Sequence, residues 1–432
     1  MPIPRWAERA RLTPDAPAIV TRETTWTCAD VASAIAARAA SLRGDRPLTL
    51  DGGVSIETTL DLLAAIEARI PVVMNHPRWT QAEREAVRAR LAGSHPPHTV
   101  LAVLATSGTT GIPKLAVLSR RAFAAAANAS ALHLGASAED RWLLAMPLAH
   151  VGGLGVVVRS LVQCTPLVLH DGDPSGWIPL ARSARVTHVS LVPTLLARLL
   201  DRGEALPPSV RVLLVGGAAC PESVLARALG AGLPVQPTYG LTETCGQVAT
   251  ATGDPRALVP LPGVDVRVEG GTIRVRSASA MDGWVDEAAT PFDADGFYDT
   301  GDLGELDARG RLHVHARRTD LVVSGGENVY PREVEEALER IPGIRAACVF
   351  GVPDPEWGQR VAAAIVTEPS APSDDAIIAR ARVTLAGFKL PRLLARLDTL
   401  AIAESGKLDR RRTAARALTH LRSAGRKEEG GR

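Results

Sequence analysis

The chain has 432 residues, of which 46% are hydrophobic and 22% are charged, and its formal net charge is +2. This length is enough for one large core and a smaller second domain, and the balanced charge argues against nucleic acid or an anionic membrane as a partner. The five cysteines form no CxxC pair, which argues against a zinc site or a disulfide framework and favours a reducing cytoplasm.

Two features bear on targeting. Residues 1–12 contain Arg5, Arg9 and Arg11 and no apolar run, so we expect no signal peptide. The longest apolar stretches, residues 101–105 and 151–158, are too short or too rich in glycine to span a bilayer. We therefore expect a cytoplasmic protein without membrane insertion.

The region from about residue 100 to residue 239 alternates short apolar runs with helical stretches. Strands are predicted at 100–105, 142–146, 167–169, 186–192 and 210–215, and helices at 120–132, 154–163, 194–200 and 221–229. This alternation predicts βαβ units around largely parallel sheets, in which the loops at the strand ends carry the chemistry.

Shorter strands replace this alternation after Pro260. Strands are predicted at 264–268, 272–275, 298–302, 312–317 and 346–352, and helices at 332–340 and 374–385. We therefore predict an α/β protein with two domains. The large N-terminal domain, residues 1–317, would contain the βαβ-type sheets and a small β-subdomain. The C-terminal domain, residues 318–432, would be a small mobile α/β unit with a disordered tail from about residue 418.

Nine residues directly after the first of these strands form the strongest functional pattern. They read Thr106-Ser107-Gly108-Thr109-Thr110-Gly111-Ile112-Pro113-Lys114. Hydroxyl groups, backbone N–H groups and one cation at this density can surround phosphate oxygens. The spacing differs from a Walker A motif, because Ile112 and Pro113 separate Gly111 from the lysine. We interpret the segment as a phosphate-binding loop.

This loop resembles the phosphate loop of the adenylate-forming superfamily, which includes acyl-CoA synthetases, luciferases and peptide-synthetase adenylation domains. Other segments resemble further motifs of that superfamily in the same order: Tyr239-Gly240-Leu241-Thr242-Glu243-Thr244, Tyr298-Asp299-Thr300-Gly301-Asp302, Arg317-Arg318-Thr319-Asp320, residues 324–331, and Ser405-Gly406-Lys407. The resemblance implies an enzyme with the fold of that superfamily that joins a carboxylic acid to AMP and then transfers the acyl group to coenzyme A.

The resemblance also implies the roles of individual residues. The nucleotide would be bound by Thr106, Ser107, Gly108, Thr109, Thr110, Lys114, Gly217, Tyr239, Gly240, Thr242, Asp302 and Arg317. Asp302 and Arg317 would contact the ribose, and Glu243 would hold the Mg²⁺ that accompanies ATP. Lys407 would bridge the carboxylate, the ribose and the α-phosphate during adenylation.

The same resemblance implies that the small domain adopts two orientations. Lys407 is far along the chain from the phosphate loop, so it can reach the nucleotide only when the small domain closes. The hinge, Thr319 and Asp320, would then turn this domain and bring Gly325-Gly326 to a tunnel for the pantetheine arm of coenzyme A. Trp357 is interpreted as a further contact with coenzyme A.

The acyl pocket is suggested by two residues. His150 lies in a segment, residues 146–154, that resembles the PLxHxxGL segment of CoA ligases. It is interpreted as catalytic, as a gate to the acyl or pantetheine tunnel, or alternatively as a satisfied interior histidine. Arg159 follows Val156-Val157-Val158, and a cation in such an apolar helix is costly unless it meets an anion. It is either a surface arginine or the partner of a second carboxylate on the substrate.

These features together resemble o-succinylbenzoate–CoA ligases of menaquinone biosynthesis, whose substrate is a dicarboxylate. The resemblance implies ATP, Mg²⁺ and coenzyme A as co-substrates or cofactors, and a small-molecule acid rather than a macromolecule as partner. A homo-oligomer is compatible with the sequence. Two alternatives stay open: a medium-chain or aryl acyl-CoA ligase, which has no use for Arg159, and a non-catalytic adenylate-binding protein, against which Lys114, Glu243, Asp302 and Lys407 argue.

Overall fold

The computed structural model describes residues 3, 6–42, 46–77, 79–92, 96–106, 114–173, 176–285, 287, 289–317, 320–324, 327–355, 357–403 and 406–423. The α-helices are α1 (Trp6–Leu12), α2 (Cys28–Ser41), α3 (Ile56–Ala68), α4 (Gln81–Arg90), α5 (Arg120–Leu134), α6 (Val151–Gln163), α7 (Ile178–Ser183), α8 (Pro193–Arg202), α9 (Glu222–Gly230), α10 (Pro331–Glu339), α11 (Asp374–Ala381) and α12 (Arg410–Ala417). Short 3₁₀ turns lie at Thr242–Thr244, Gly387–Lys389 and Leu418–His420.

The strands of the first two thirds of the chain are β1 (Pro17–Val20), β2 (Thr25–Thr27), β3 (Leu48–Asp51), β4 (Val72–Asn75), β5 (Val100–Ala105), β6 (Leu115–Ser119), β7 (Trp142–Leu144), β8 (Leu167–Leu169), β9 (His188–Leu191), β10 (Val212–Val215), β11 (Val235–Leu241), β12 (Gly246–Ala251), β13 (Leu258–Pro260), β14 (Val264–Glu269), β15 (Thr272–Ser277) and β16 (Gly283–Trp284). The later strands are β17 (Tyr298–Leu306), β18 (Leu312–Arg317), β19 (Val322–Ser324), β20 (Glu327–Val329), β21 (Ile344–Asp354), β22 (Gly358–Thr367), β23 (Leu393–Arg396) and β24 (Arg422–Ser423).

The described strands form three sheets. The largest has the order β14-β15-β17-β18-β13-β12-β11-β10-β9-β7-β8-β1-β2, the second β16-β6-β5-β4-β3, and the third β20-β19-β22-β23-β24 with β21 also paired to β22. Strands β8, β7, β9, β10 and β11 run parallel to one another, and the sheet continues from β11 through β12, β13, β18, β17, β15 and β14 with antiparallel pairs. This arrangement confirms the predicted α/β architecture, and the predicted strands at 264–268 and 272–275 form the antiparallel pair of β14 and β15.

Burial explains why the apolar runs became strands. All four residues of β10 are buried, as are five of the six residues of β5. Such continuous burial is typical of parallel strands that are covered by helices on both faces. Trp142, Phe123 and Leu63 are among the largest fully buried side chains of this part of the chain. Among the described helices, none combines the length and the apolar character that crossing a bilayer requires.

The third sheet has a separate hydrophobic core, which includes Val334, Leu338, Val349 and Ile365. Helix α11 ends at Ala381, earlier than the predicted end at 385. The next residues include the β-branched Val383 and Thr384, which lose rotamer freedom in a helix, and the Thr384 hydroxyl donates to the carbonyl of Ala381 at 3.3 Å.

The prediction of a disordered tail from about residue 418 is wrong for residues 418–423. Leu418–His420 form a 3₁₀ turn, and β24 pairs antiparallel with β23 through Leu393↔Ser423 and Leu394↔Arg422. The physical reason is that the open edge of β23 offers backbone partners, so a short polar segment can be ordered without burying much apolar surface.

Candidate functional site

Two parallel strands bring Gly217 and Thr242, two of the predicted nucleotide-binding residues, to one edge of the large sheet, which is called the nucleotide edge below. Gly216-Gly217 directly follow strand β10, and its parallel neighbour β11 runs into the 3₁₀ turn Thr242–Thr244. Gly216 packs so closely that an added Cβ would lie 2.6 Å from Thr238 Cγ2, and Gly217 has a φ of +78°. Ligands of such sheets bind beyond the carboxyl ends of the strands, which is where these glycines and Thr242 lie.

Asp302 is held at the same site by a hydrogen bond. The Tyr239 hydroxyl donates to Asp302 Oδ2 at 2.7 Å, and the carboxylate is only 5% exposed. The backbone N–H of Asp302 donates to Thr300 Oγ1 at 3.1 Å. Because Tyr239 of β11 holds it, this carboxylate is oriented before any ligand arrives and can accept hydroxyl groups such as those of a ribose.

Glu243 is suited to a metal ion that is bound mainly by substrate. The Tyr298 hydroxyl donates to Glu243 Oε1 at 3.4 Å, and the side chain is half-buried. Across the described residues, no group of three or more His, Cys, Asp or Glu side chains could hold a metal alone. Mg²⁺ usually takes one or two protein carboxylates together with phosphate oxygens and water, and a single glutamate beside the nucleotide edge fits that pattern.

The two ends of the predicted phosphate loop are joined by the β5–β6 pair. The N–H of Thr106 donates to the carbonyl of Lys114 at 2.8 Å, and Ala105 pairs with Leu115. Lys114 Nζ forms a half-exposed ion pair with Glu287 at 2.7 Å. Exposed pairs contribute about 0–1 kcal/mol, so this lysine can exchange its partner for a phosphate at small cost. The predicted contacts Ser107, Gly108, Thr109 and Thr110 lie outside the described residues.

Lys407 reaches this edge from the part of the chain that forms the third sheet. A Cβ added to Gly217 would lie 3.8 Å from Lys407 Cε, and one added to Gly406 would lie 3.3 Å from Val192 Cγ2. A second contact joins the same two parts of the chain: the Arg332 guanidinium donates to the carbonyl of Cys220. The structure therefore brings together Gly217 and Lys407, which the sequence places far apart.

The predicted hinge is only partly described. Asp320 Oδ2 lies 3.5 Å from Arg410 Nε, whereas Thr319 lies outside the described residues. Arg317 pairs in register with Asp302 between β17 and β18, so its backbone lies beside the nucleotide carboxylate; its side chain is not described. The ribose and hinge roles of these residues stay predictions.

The predicted coenzyme A contacts also stay predictions. Gly325 and Gly326 lie outside the described residues. Trp357 is 44% exposed, and its backbone N–H donates to Asp354 Oδ1 at 2.9 Å between β21 and β22. An exposed indole can stack on a ligand.

His150 has a neighbour that the sequence did not suggest. Its ring contacts the ring of His76 edge-on, with 5.1 Å between the centroids. His150 is the residue before α6, and His76 directly follows β4 and is 6% exposed. The position of His76 after a buried strand was the available signal. Both the gate and the interior-histidine interpretations of His150 stay open.

Arg159 is buried, so the interpretation as a surface arginine is wrong. The residue is 6% exposed; its Nε donates to Ser130 Oγ at 3.0 Å and its Nη2 to Gln247 Oε1 at 2.8 Å. The guanidinium also lies 5.0 Å from the centre of the Trp142 ring. Burial lowers the pKa of Arg159 to about 10, which keeps it charged at neutral pH. No acidic side chain within the described ranges forms an ion pair with it.

Comparison with known proteins places this geometry in a family. The family model described as AMP-binding enzyme matches residues 85–283, and that of the AMP-binding enzyme C-terminal domain matches residues 333–407. A 2-succinylbenzoate–CoA ligase of Bacillus pumilus is 37% identical over 330 residues, which cover 72% of this chain and 68% of that protein.

Solved structures of o-succinylbenzoate coenzyme A synthetase from Bacillus subtilis are also similar. The complex with the acyl-adenylate intermediate has a TM-score of 0.85 at 28% identity and covers 95% of this chain and 97% of that one. The complex with ATP and a magnesium ion has a TM-score of 0.84 at 28% identity and covers 95% of this chain and 99% of that one.

A double mutant of the same enzyme bound to a product analogue has a TM-score of 0.69, again at 28% identity, and covers 96% of this chain and 98% of that one. The chain belongs to the AMP-binding enzyme family, and its similar relatives there include 2-succinylbenzoate–CoA ligases.

Proposed function

We propose that this chain is an ATP-dependent ligase that converts o-succinylbenzoate into o-succinylbenzoyl-CoA through an acyl-adenylate, as a step of menaquinone biosynthesis. The relatives named for this reaction, the nucleotide edge with Asp302 and Lys407, and the buried charge of Arg159 support the proposal. The observation that carries the choice of acid is Arg159, because a buried cation with neutral protein partners suits an anionic substrate.

Adenylation needs positioning more than covalent help from the protein. An oxygen of the succinyl carboxylate attacks the α-phosphorus of ATP, and the bond to the bridging oxygen breaks so that pyrophosphate leaves. Lys407 would offset the charge that grows on the phosphoryl oxygens, while Asp302, fixed by Tyr239, holds the ribose. Mg²⁺, when bound near Glu243, would neutralise part of the triphosphate charge.

Thioester formation follows after the small domain turns. The thiol sulfur of coenzyme A attacks the acyl carbon, the bond from that carbon to the adenylate oxygen breaks, and AMP leaves while the thiol proton is released. Rotation at Thr319 and Asp320 would withdraw Lys407 and bring Gly325-Gly326 to the pantetheine tunnel. His150 would line that tunnel, and Trp357 would contact the far end of coenzyme A.

The acid specificity is tested by replacing Arg159 with alanine. The aromatic carboxylate of o-succinylbenzoate would lose its partner in a buried site, which typically costs about 2–5 kcal/mol. We therefore expect kcat/KM for o-succinylbenzoate to fall by roughly 30-fold to several thousandfold. For 4-phenyl-4-oxobutanoate, which lacks that carboxylate, the change should be far smaller. For Arg159→Lys, kcat/KM for o-succinylbenzoate should lie between the values for the wild type and Arg159→Ala, because lysine keeps the charge but not the planar fork.

Arg120 offers a matched control. It is a partly buried arginine whose partners are likewise neutral, the backbone carbonyls of His98 and Ile66, and burial also lowers its pKa to about 10. Arg120→Ala should change kcat/KM for both acids equally. If Arg159→Ala did the same, Arg159 would be structural. A wild-type protein that prefers the monocarboxylate would instead support the medium-chain or aryl acyl-CoA ligase.

A further inference from the structure

The side chains around Arg159 form a closed ring of hydrogen bonds. Gln247 Oε1 accepts from Arg159 Nη2 at 2.8 Å and from Ser130 Oγ at 2.7 Å, and Ser130 Oγ accepts from Arg159 Nε at 3.0 Å. Ser130 is fully buried, and Gln247 is 6% exposed. The ring joins α5, α6 and β12, so partners on two other elements, α5 and β12, fix the guanidinium of α6.

The orientation of the Gln247 amide is set from its other end. Its Nε2 donates to Thr250 Oγ1 at 2.8 Å, and the Thr250 hydroxyl shares a hydrogen bond of 2.7 Å with Thr238 Oγ1. The amide oxygen must therefore face Arg159. Gln247 also pairs in register with Gly240, one strand from the predicted nucleotide motif. The chain of contacts thus reaches from Arg159 to the edge where the adenylate would form.

Among the described residues, no carboxylate forms an ion pair with Arg159. Its partners Ser130 and Gln247 are neutral. His188 stacks on the other neighbour of Arg159, Trp142, with 4.6 Å between ring centroids, and burial lowers the pKa of His188 to about 4, so it is neutral at physiological pH. The nearby buried carboxylate of Asp140 is paired with Arg211.

We infer that Gln247 is a specificity-determining positioning residue, which holds the Arg159 guanidinium in place with a neutral acceptor and so reserves its charge for a carboxylate of the substrate. The inference rests on the proposed role of Arg159. A glutamate has the same shape and could also accept from Arg159 and Ser130. It would, however, complete an ion pair inside the protein, and a substrate carboxylate would then meet a neutral pair instead of a cation.

Gln247→Glu is therefore the informative substitution. The Thr250 hydroxyl can rotate to donate to the new carboxylate, so the ring can persist. We expect kcat/KM for o-succinylbenzoate to fall by about 100-fold or more, mainly through KM, because an anion loses an uncompensated partner. The value for 4-phenyl-4-oxobutanoate should stay within about fivefold, and the melting temperature should not fall, because the buried cation gains a partner.

Gln247→Met provides a second variant that does not depend on a new charge. It removes the acceptor from Arg159 Nη2, and we expect a smaller loss that is still selective for the dicarboxylate, about 10-fold. Equal losses for both acids in either folded variant, or an unchanged preference in Gln247→Glu, would overturn the inference.

Arg159→Ala, measured beside these variants, separates two kinds of failure. If Arg159→Ala is selective and the Gln247 variants are not, only the role of Gln247 is wrong. If Arg159→Ala is itself unselective, the proposed acid is wrong, and the inference falls with it.

Discussion

Replacing Lys407 with alanine should separate the two half-reactions. In the structure, Lys407 Cε lies 3.8 Å from the position of a Cβ on Gly217, at the edge where the α-phosphate would bind. Truncation removes the ammonium group but keeps the turn that packs Gly406 against Val192. The loss should therefore be confined to the step in which this domain position is used.

The size of the loss follows from the charge of the ammonium group. Two unit charges 4 Å apart interact by about 4 kcal/mol at an effective dielectric constant of about 20. Removing one preorganised donor from a developing anion costs about 10²–10³-fold in rate. We expect o-succinylbenzoate-dependent ATP–pyrophosphate exchange to fall by about this factor. Thioester formation from supplied o-succinylbenzoyl-adenylate should stay within about threefold.

Both half-reactions can be measured on the same preparation. The control is Arg396→Ala, which removes an exposed cation of the third sheet that pairs with Asp374 at 2.8 Å; it should leave both rates unchanged. If Lys407→Ala slowed both half-reactions equally, the assignment of Lys407 to adenylation alone would be refuted.

Two further predictions concern binding and pH. Tyr239→Phe removes the hydroxyl that donates to the buried carboxylate of Asp302; KM for ATP should rise by about 10- to 100-fold, and an unchanged KM would contradict the role of that carboxylate. Burial raises the pKa of Glu339 to about 7, so the stability contributed by its protonated form is complete below the unfolded pKa of about 4.5 and is lost as the pH rises towards 7. Glu339→Gln should therefore raise the melting temperature more at pH 8 than at pH 5, and equal shifts in the two melts would contradict this reasoning.

The residues that the sequence identified are those whose chemistry is local. Asp302, Glu243 and Lys407 each stand in a short motif that resembles one of the adenylate-forming superfamily, so the resemblance predicts a role for each without knowledge of the fold. Strand positions in the large sheet could also be predicted, because buried parallel strands have continuous apolar sequences.

Contacts between distant segments could not be predicted in this way. Ser130 and Gln247 meet Arg159 only because α5, α6 and β12 pack together, and neither residue belongs to a run that indicates a site. The contact of His76 with His150 likewise depends on how β4 lies beside the start of α6. Sequence periodicity predicts which face of an element is apolar but not which polar side chains meet within a core.

Short segments that form strands only by pairing with a neighbouring strand were the least predictable. Strand β6 was not predicted, because it is a five-residue run between the phosphate-loop lysine and α5 and forms only by pairing with β5. The order of residues 418–423 likewise depends on the edge of β23. In both places tertiary pairing supplies the hydrogen bonds that local propensity does not.

The most direct test of the acyl-adenylate reaction is to follow a carboxylate oxygen. The protein would be incubated with ATP, coenzyme A and o-succinylbenzoate labelled with ¹⁸O in its succinyl carboxylate, and the products identified by mass spectrometry. Because that oxygen attacks the α-phosphorus and stays with it when the thioester forms, we predict one ¹⁸O in AMP, with equal amounts of AMP and o-succinylbenzoyl-CoA. Unlabelled AMP, or ADP with labelled phosphate, would contradict the proposed mechanism.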